Sequence, residues 1–117
     1  MEKEMIDFVA QRADVLAVSP ASKQDTQQAA AAWKEAVAAG ADADAETAKL
    51  LDFLQGRMLG IDDLIAFLEG PGAGLFGEEQ AAAMLVAQKQ RKEQGEKYCN
   101  CEAHAAAEEL LTKFGRI

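Results

Sequence analysis

Alanine dominates the apolar part of this chain, and that limits what the chain can fold into. Of the 117 residues, 58 are apolar, and 25 of these are alanine, which leaves 33 larger apolar residues. Alanine has the highest intrinsic helix propensity, but its single methyl group fills little volume. Helices that approach one another closely use such side chains well, whereas a thick sheet core does not. The composition therefore predicts a helical protein with a thin core.

Glycine and proline divide the chain into segments joined by short connections. Apolar residues recur at helical spacing within the segments, and none alternates apolar and polar residues over the length of a strand. We expect an all-α fold, a compact bundle of about five to six short helices, and a single helical domain over residues 1–117. The expected helices lie within 2–17, from Ser22 to about Ala39, between Asp44 and Gly60, just after Asp62, at about 78–94 and at about 102–114.

The residues that flank these segments indicate where each helix begins. Ser22, with Asp25 three residues later, has the spacing of a capping box. Asp44 and Asp62 are the expected N-caps of the third and fourth helices, because a carboxylate there accepts from unpaired backbone amides. Residues 70–77, GPGAGLFG, contain four glycines and a proline, and we expect no regular structure there.

The charge of the chain and its apolar runs narrow the range of partners. Twelve basic and twenty acidic residues give a net charge of −8, which repels phosphate backbones and anionic membrane surfaces. The start, MEKEMIDFV, has no apolar secretory stretch, and no segment approaches the roughly 18 apolar residues of a membrane span. We expect a cytoplasmic protein with reduced cysteines, binding neither nucleic acid nor membranes.

The segment KYCNCEAH, residues 97–104, holds both cysteines and the only histidine of the chain, in the order C-x-C-x-x-H. Thiolates and neutral imidazole are preferred ligands of zinc and of related transition metals. Cys99, Cys101 and His104 are therefore the candidate ligands of a metal, or the candidate members of a thiol-redox site. The alternative is that two small buried residues and a histidine at a helix start lie together without a shared role.

The number of donors weighs against a closed metal site. Structural zinc takes four protein ligands, and no further cysteine or histidine is present. Glu102, Glu108, a water or a second copy of the chain would have to complete the set. We therefore expect no tightly bound metal in the isolated monomer. We expect reduced, partly shielded thiols instead, with Cys101, near a helix N-terminus, the more acidic of the two.

Other motifs carry little chemistry. The loop GAGLFG, residues 72–77, matches G-x-G-x-x-G, but a dinucleotide site needs a strand before that loop, within a βαβ unit. Paired acids at expected helix starts, at 62–63 and 78–79, are explained by the helix dipole. We expect no catalytic residues, no enzymatic activity and no cofactor, with zinc or another transition metal on the cysteine segment as the alternative.

Three stretches resemble a family of short, acidic, uncharacterised bacterial proteins, some of which carry heat-shock or ninety-kilodalton-chaperone labels. The stretches are GIDDLIAFLEG, the FG that follows it, and KYCNCEAH. The resemblance implies a tail of the form KYC-x-C-x-x-C and a Cys-Cys pair just after a proline near the second helix. Five such thiols imply a metal or cluster site. The chaperone label gains no support, because 117 residues cannot supply a large ATP-binding domain.

This chain departs from the pattern that the resemblance implies. Cys99 and Cys101 match the first two thiols of the tail, and His104 stands where the third would be. Ser22 and Lys23 stand where the Cys-Cys pair would be, and a lysine among metal ligands would oppose a cation. The resemblance therefore implies a weaker site here than in the family.

The sequence as a whole favours a small cytoplasmic helical protein that acts by binding another protein, whose identity is unknown. The alternative is a metal-binding or thiol-redox protein that uses Cys99, Cys101 and His104. We also expect a homo-oligomer, most simply a homodimer, because the large aromatic side chains need not all fit inside one small, alanine-rich monomer. Those side chains are Trp33, Phe53, Phe67 and Phe76.

Overall fold

Seven α-helices make up the fold, and no β-sheet is present. The computed structural model describes residues 1–117, and its only strand-like feature is an isolated bridge between Gly60 and Tyr98. The predicted all-α bundle is confirmed, with seven helices rather than five to six. The helices are α1 (Lys3–Val18), α2 (Gln24–Ala38), α3 (Ala43–Gln55), α4 (Ile61–Glu69), α5 (Pro71–Phe76), α6 (Glu78–Glu93) and α7 (Glu102–Lys113).

The chain forms two compact units. Unit 1 comprises Met1–Met58 and Asn100–Ile117, and unit 2 comprises Leu59–Cys99. The single-domain organisation expected from the sequence stays a prediction. None of the helices combines the length and the apolar character that crossing a membrane requires.

Unit 1 is built around α1, which packs against α2 and α7, while α3 packs against the same two helices. Helical spacing of apolar residues turns one face of each helix inward. The indole N–H of buried Trp33 donates to the buried hydroxyl of Thr47 at 2.9 Å. The buried core consists of Val9, Ala13, Leu16, Ala30, Trp33, Leu50, Leu51, Leu54, Ala103, Ala106, Ala107, Leu110 and Leu111. Five of these thirteen residues are alanine, as expected for closely approaching helices.

Unit 2 consists of α4, α5 and α6, each packed against the other two. Its buried apolar side chains are few and include Ile61, Leu64 and Leu68 of α4. The rings of Phe67 and Phe76 meet edge to face, with centroids 6.4 Å apart. Three large apolar side chains of α5 and α6 are exposed to solvent, namely Leu75, Phe76 and Val86.

The expectation of irregular structure at residues 70–77 is wrong, because Pro71–Phe76 forms α5. Proline is favoured in the first turn of a helix, where its missing N–H has no partner to lose. Gly72 is buried against Phe67, and a Cβ at Gly72 would lie 2.9 Å from the Phe67 carbonyl oxygen. Gly77 ends the helix with φ of 87°, a conformation that glycine adopts without strain. The glycines thus permit a close approach and a turn around a short helix.

The third helix ends earlier than expected. The sequence pattern extended it to Gly60 and included Met58, but α3 ends at Gln55. The amides of Gly56 and Arg57 donate to carbonyls three residues earlier, at 3.2 and 2.9 Å, which closes the helix with a tight turn. Met58 lies outside the helix but still packs against the core of unit 1. The helical spacing of apolar residues could not show whether Met58 reaches the core from within α3 or from the segment after it.

Two of the predicted N-caps are also wrong. Asp42, not Asp44, caps α3, and its carboxylate accepts from the Asp44 amide at 3.0 Å. Helix α4 begins at Ile61, one residue before Asp62, after Gly60 as the cap. The carboxylate of Asp62 is therefore inside the first turn, where the helix dipole still favours it.

Candidate metal centre

Two short extended segments of unit 2 fix the position of Cys99. Gly60 and Tyr98 form the isolated antiparallel bridge, and the Cys99 amide donates to the Leu59 carbonyl at 2.9 Å. The Cys99 residue is only 8% exposed. Its backbone is therefore held by hydrogen bonding, and its sulfur is shielded from solvent.

Cys101 is the N-cap of α7. Its backbone is extended, with φ of −60° and ψ of 158°, and its Sγ accepts from the His104 amide at 3.4 Å. Oxygen-bearing side chains usually take this role, so a sulfur here replaces the usual cap. The N-terminus of a helix carries partial positive charge, which lies beside this sulfur.

The imidazole of His104 is oriented by partners on both ring nitrogens. Nδ1 lies 3.0 Å from the Cys101 Sγ, and Nε2 lies 3.2 Å from the carbonyl oxygen of Arg57. A carbonyl oxygen can only accept, so we assign the proton of the neutral ring to Nε2. Nδ1 is then left as an acceptor that faces the thiol. A ligating histidine commonly donates its other N–H to such a carbonyl.

The structure brings together all three residues that the sequence predicted as ligands. One donor atom of each of Cys99, Cys101 and His104 lies within 4.8 Å of the other two. Two sulfurs on one zinc ion are at most about 4.6 Å apart, because the Zn–S distance is about 2.3 Å. Small movements would therefore let the three donors surround one ion. Neither cysteine is in a disulfide.

The carboxylates offered as a fourth ligand are placed differently. The group of close donors contains neither Glu102 nor Glu108. The Glu102 carboxylate accepts from the hydroxyl of Ser19 at 3.0 Å, and Ser19 is almost completely buried. One chain therefore gathers three protein donors, without a carboxylate among them.

Hydrogen bonding to the Cys101 sulfur is the largest influence on His104, and it raises the pKa of the imidazole above its ordinary value of 6.5. Burial of the ring opposes this by disfavouring the charged form. The Arg57 carbonyl adds to the rise, because Nε2–H donates to it. The positive charge of Lys23 acts in the opposite direction and lowers the pKa.

Arg57 is a participant that the sequence did not indicate. Its guanidinium donates to Asp25 at 2.6 Å and lies over the Phe53 ring, 4.7 Å from the centroid. These contacts hold the turn that follows α3, where the Arg57 carbonyl meets His104. Because 47 positions separate the two residues and the contact uses a backbone atom, no sequence motif could have revealed it.

Ser22 and Lys23 do not play the roles expected of them. Lys23, rather than Ser22, is the N-cap residue of α2, and no side chain caps that helix. The expected capping box at Ser22 is therefore wrong. The Ser22 hydroxyl is buried without a hydrogen-bond partner, while the Ser22 amide donates to the Ser19 carbonyl at 3.1 Å. Asp25 accepts from Arg57 and from the Thr26 amide instead.

The glycine-rich motif GAGLFG lies largely within α5, between α4 and α6. The element before it is a helix rather than a strand, so the arrangement that places a pyrophosphate on such a loop is missing.

Comparison with known proteins places the chain in no family. No family model, no curated protein and no solved structure matches it. The resemblance based on GIDDLIAFLEG and KYCNCEAH therefore stays a prediction.

Proposed function

We propose that this protein binds a soft transition-metal ion through Cys99 Sγ, Cys101 Sγ and His104 Nδ1, in the reducing environment of the cytoplasm. The observation that carries the proposal is the gathering of these three donors within 4.8 Å. They are also both cysteines and the only histidine of the chain. We therefore prefer metal binding, the alternative in the sequence-based interpretation, to protein binding as the main function.

The arrangement of the donors without a metal supports this proposal. The Cys101 sulfur and Nδ1 of His104 are 3.0 Å apart, and Nε2 is anchored on the Arg57 carbonyl. An ion could therefore replace the proton between sulfur and nitrogen without rotating the ring. Binding would release the thiol protons, so the affinity should rise with pH.

An open position defines the kind of site. Structural zinc sites are closed by four protein ligands, whereas a three-ligand site leaves one position for water or an incoming donor. The site is therefore suited to taking up and releasing an ion. The expectation that the isolated monomer holds no tightly bound metal stays a prediction.

Cobalt(II) substitution tests the proposal directly. Reduced protein prepared without a histidine tag should bind one equivalent of Co²⁺ and develop a near-ultraviolet thiolate-to-metal charge-transfer band. Cys99→Ser, Cys101→Ser and His104→Gln should each weaken binding by at least about tenfold, since each removes one of three ligands. Glu108→Gln is the matched control in α7 and should bind as the unaltered chain does. Binding without the band, or binding that survives Cys101→Ser, would contradict the proposal.

Self-association is our second candidate function, and it gives the predicted protein partner a definite identity: another copy of this chain. The observation in its favour is the exposure of Leu75, Phe76 and Val86 on α5 and α6, which pack together. In a twofold dimer one such surface meets itself, so a single apolar surface is sufficient.

Light scattering at micromolar concentration tests the dimer. The unaltered chain should give twice the chain mass, and the double variant Leu75→Glu with Val86→Glu should give one chain mass. Val18→Glu is the control, because Val18 is an equally exposed apolar residue on a helix of unit 1. One chain mass for the unaltered protein would end this proposal without affecting metal binding.

A further inference from the structure

We propose that the ion selected by this site is monovalent copper, Cu(I), held three-coordinate by Cys99 Sγ, Cys101 Sγ and His104 Nδ1. This inference rests on the proposed metal-binding function and names its ion. Three features lead to it: the number of donors, their chemical softness and the charges around them.

The number and type of donors favour copper over zinc. Zinc is almost always four-coordinate, and the group of close donors ends at three, without a carboxylate. Cu(I) is a soft ion that is stable with two or three ligands, and thiolates select it. Two thiolates and one imidazole therefore complete its coordination, whereas zinc would have to recruit a further ligand.

The charges around the sulfurs also favour the monovalent ion. Two thiolates with Cu(I) form a complex of charge −1, whereas the same donors with Zn²⁺ form a neutral one. Cys101 is the N-cap of the twelve-residue α7, whose N-terminus carries partial positive charge. Glu102 is the acidic residue of the first turn, and its carboxylate accepts from the Ser19 hydroxyl. Positive charge beside the site stabilises the complex that stays negative.

Shielding of the sulfurs suits Cu(I), which disproportionates when free in water and is readily oxidised by dioxygen. Cys99 is 8% exposed, and Cys101 and His104 are half-buried. The backbone of Cys99 is held by its hydrogen bond to Leu59. Cys99 is buried, whereas Cys101 and His104 are partly exposed. An ion can therefore reach the site from the side of Cys101 and His104.

The test is anaerobic titration of the reduced chain with Cu(I), in competition with a colorimetric Cu(I) chelator, followed by X-ray absorption spectroscopy. We expect one copper per chain, with a first shell of two sulfurs and one nitrogen. His104→Gln should lose the nitrogen and become two-coordinate. Two sulfurs alone in the unaltered chain, a fourth donor, or a copper shared between two chains would each overturn the inference.

A charge variant tests the electrostatic argument. Glu102→Gln removes one negative charge from the first turn of α7 and should strengthen Cu(I) relative to Zn²⁺ by about two- to fivefold, the size of a single charge effect at a helix terminus. Glu4→Gln, in the first turn of α1, is the matched control and should change neither affinity. An unchanged Cu(I)-to-Zn²⁺ ratio in Glu102→Gln would contradict the electrostatic contribution.

Failure of this inference can be distinguished from failure of the proposed function. If the chain binds Co²⁺ through its thiols, but its copper complex lacks His104, the function stands and the copper assignment falls. If neither Co²⁺ nor Cu(I) depends on Cys101, both fall together.

Discussion

Unit 1 and unit 2 are both built from helices, but they bury different amounts of apolar side chain. The five largest side chains with almost no exposure all belong to unit 1, namely Leu16, Leu54, Leu110, Leu111 and Val9. In unit 2 the leucines of α4 are 3–8% exposed, and Leu75 and Val86 are 69% and 58% exposed. Stability should therefore be unevenly distributed, because burial of apolar surface is the main stabilising contribution.

The difference between the units follows from the sequences of their helices. Helices α1, α3 and α7 carry large apolar residues at helical spacing on one face, whereas the largest helix of unit 2, α6, has a polar second half, QKQRKE. Its buried residues are only Ala81 and Gln88. A helix with this pattern contributes little to a core, so unit 2 depends on α4.

The largest effect is expected at the centre of unit 1. Leu110 is completely buried in α7, so Leu110→Ala should lower the free energy of unfolding by about 2–5 kcal/mol, from lost transfer energy and a new cavity. In the monomer, at a protein concentration low enough to prevent self-association, Leu75→Ala at an exposed position of unit 2 should change it by less than about 0.5 kcal/mol. Urea unfolding followed by far-ultraviolet circular dichroism measures both. Equal losses would contradict the contrast between the units.

A buried polar contact in unit 1 should have the next largest effect. Thr47→Val removes the acceptor of the Trp33 indole N–H while nearly keeping the shape of the side chain. An unpaired buried donor costs about 1–3 kcal/mol, so the loss should be of that size. Thr47→Ser retains the hydroxyl and should cost less. If valine and serine were equally destabilising, packing rather than the hydrogen bond would be responsible.

Two glycines in α5 test how tightly unit 2 is packed. A Cβ at Gly72 would meet the Phe67 carbonyl at 2.9 Å and the Phe67 ring at 3.2 Å, whereas nothing lies within 4 Å of one at Gly74. Gly72→Ala should therefore destabilise unit 2 by about 1 kcal/mol or more, as overpacking does. Gly74→Ala should stabilise it by up to about 1 kcal/mol, through helix propensity.

Hydrogen exchange monitored by NMR locates this effect. The faster exchange caused by Gly72→Ala should be confined to amides of α4, α5 and α6. A uniform increase over α1 and α7 as well would mean that the units unfold together, and the difference in burial would then have no thermodynamic counterpart.

Much of the fold could be predicted because helical period and helix-breaking residues are local properties. The stripe of Leu50, Leu51 and Leu54 is buried as the sequence indicated, and Gly95 follows α6. Helix ends were harder to predict. Whether Ser22, Asp44 or Asp62 caps a helix depends on which backbone amide lies within reach, and one residue of shift decides that.

The candidate site also has a local part, which the sequence could predict, and a non-local part, which it could not. Cys99, Cys101 and His104 are close in sequence, so their spacing could suggest that they meet. The contact of His104 with the Arg57 carbonyl could not be inferred, since it depends on how α3 and α7 pack. The local part of the donor set was thus predictable, and the group that orients the imidazole was not.

The smallest effect concerns the Asp25–Arg57 pair of unit 1. Hydrogen bonding to Arg57 holds the pKa of Asp25 below its ordinary value of 3.8, and desolvation of the carboxyl opposes this shift. A lowered carboxyl pKa stabilises the fold at pH above 3.8, and this contribution disappears as the pH falls through the folded value. Asp25→Asn should therefore be less stable than the unaltered chain at pH 6, and the difference should shrink towards pH 3.

Urea midpoints at several pH values measure this difference, and unit 2 supplies the control. Asp62 forms an ion pair with Lys92 at the same 2.6 Å distance, but the Asp62 side chain is 74% exposed against 46% for Asp25. Solvent screens the more exposed pair more strongly, so at pH 6 Asp62→Asn should lower the urea midpoint less than Asp25→Asn does. If the two variants behaved alike, the Asp25–Arg57 pair would contribute no more to stability than an ordinary surface ion pair. Helix packing alone would then position the Arg57 carbonyl that contacts His104.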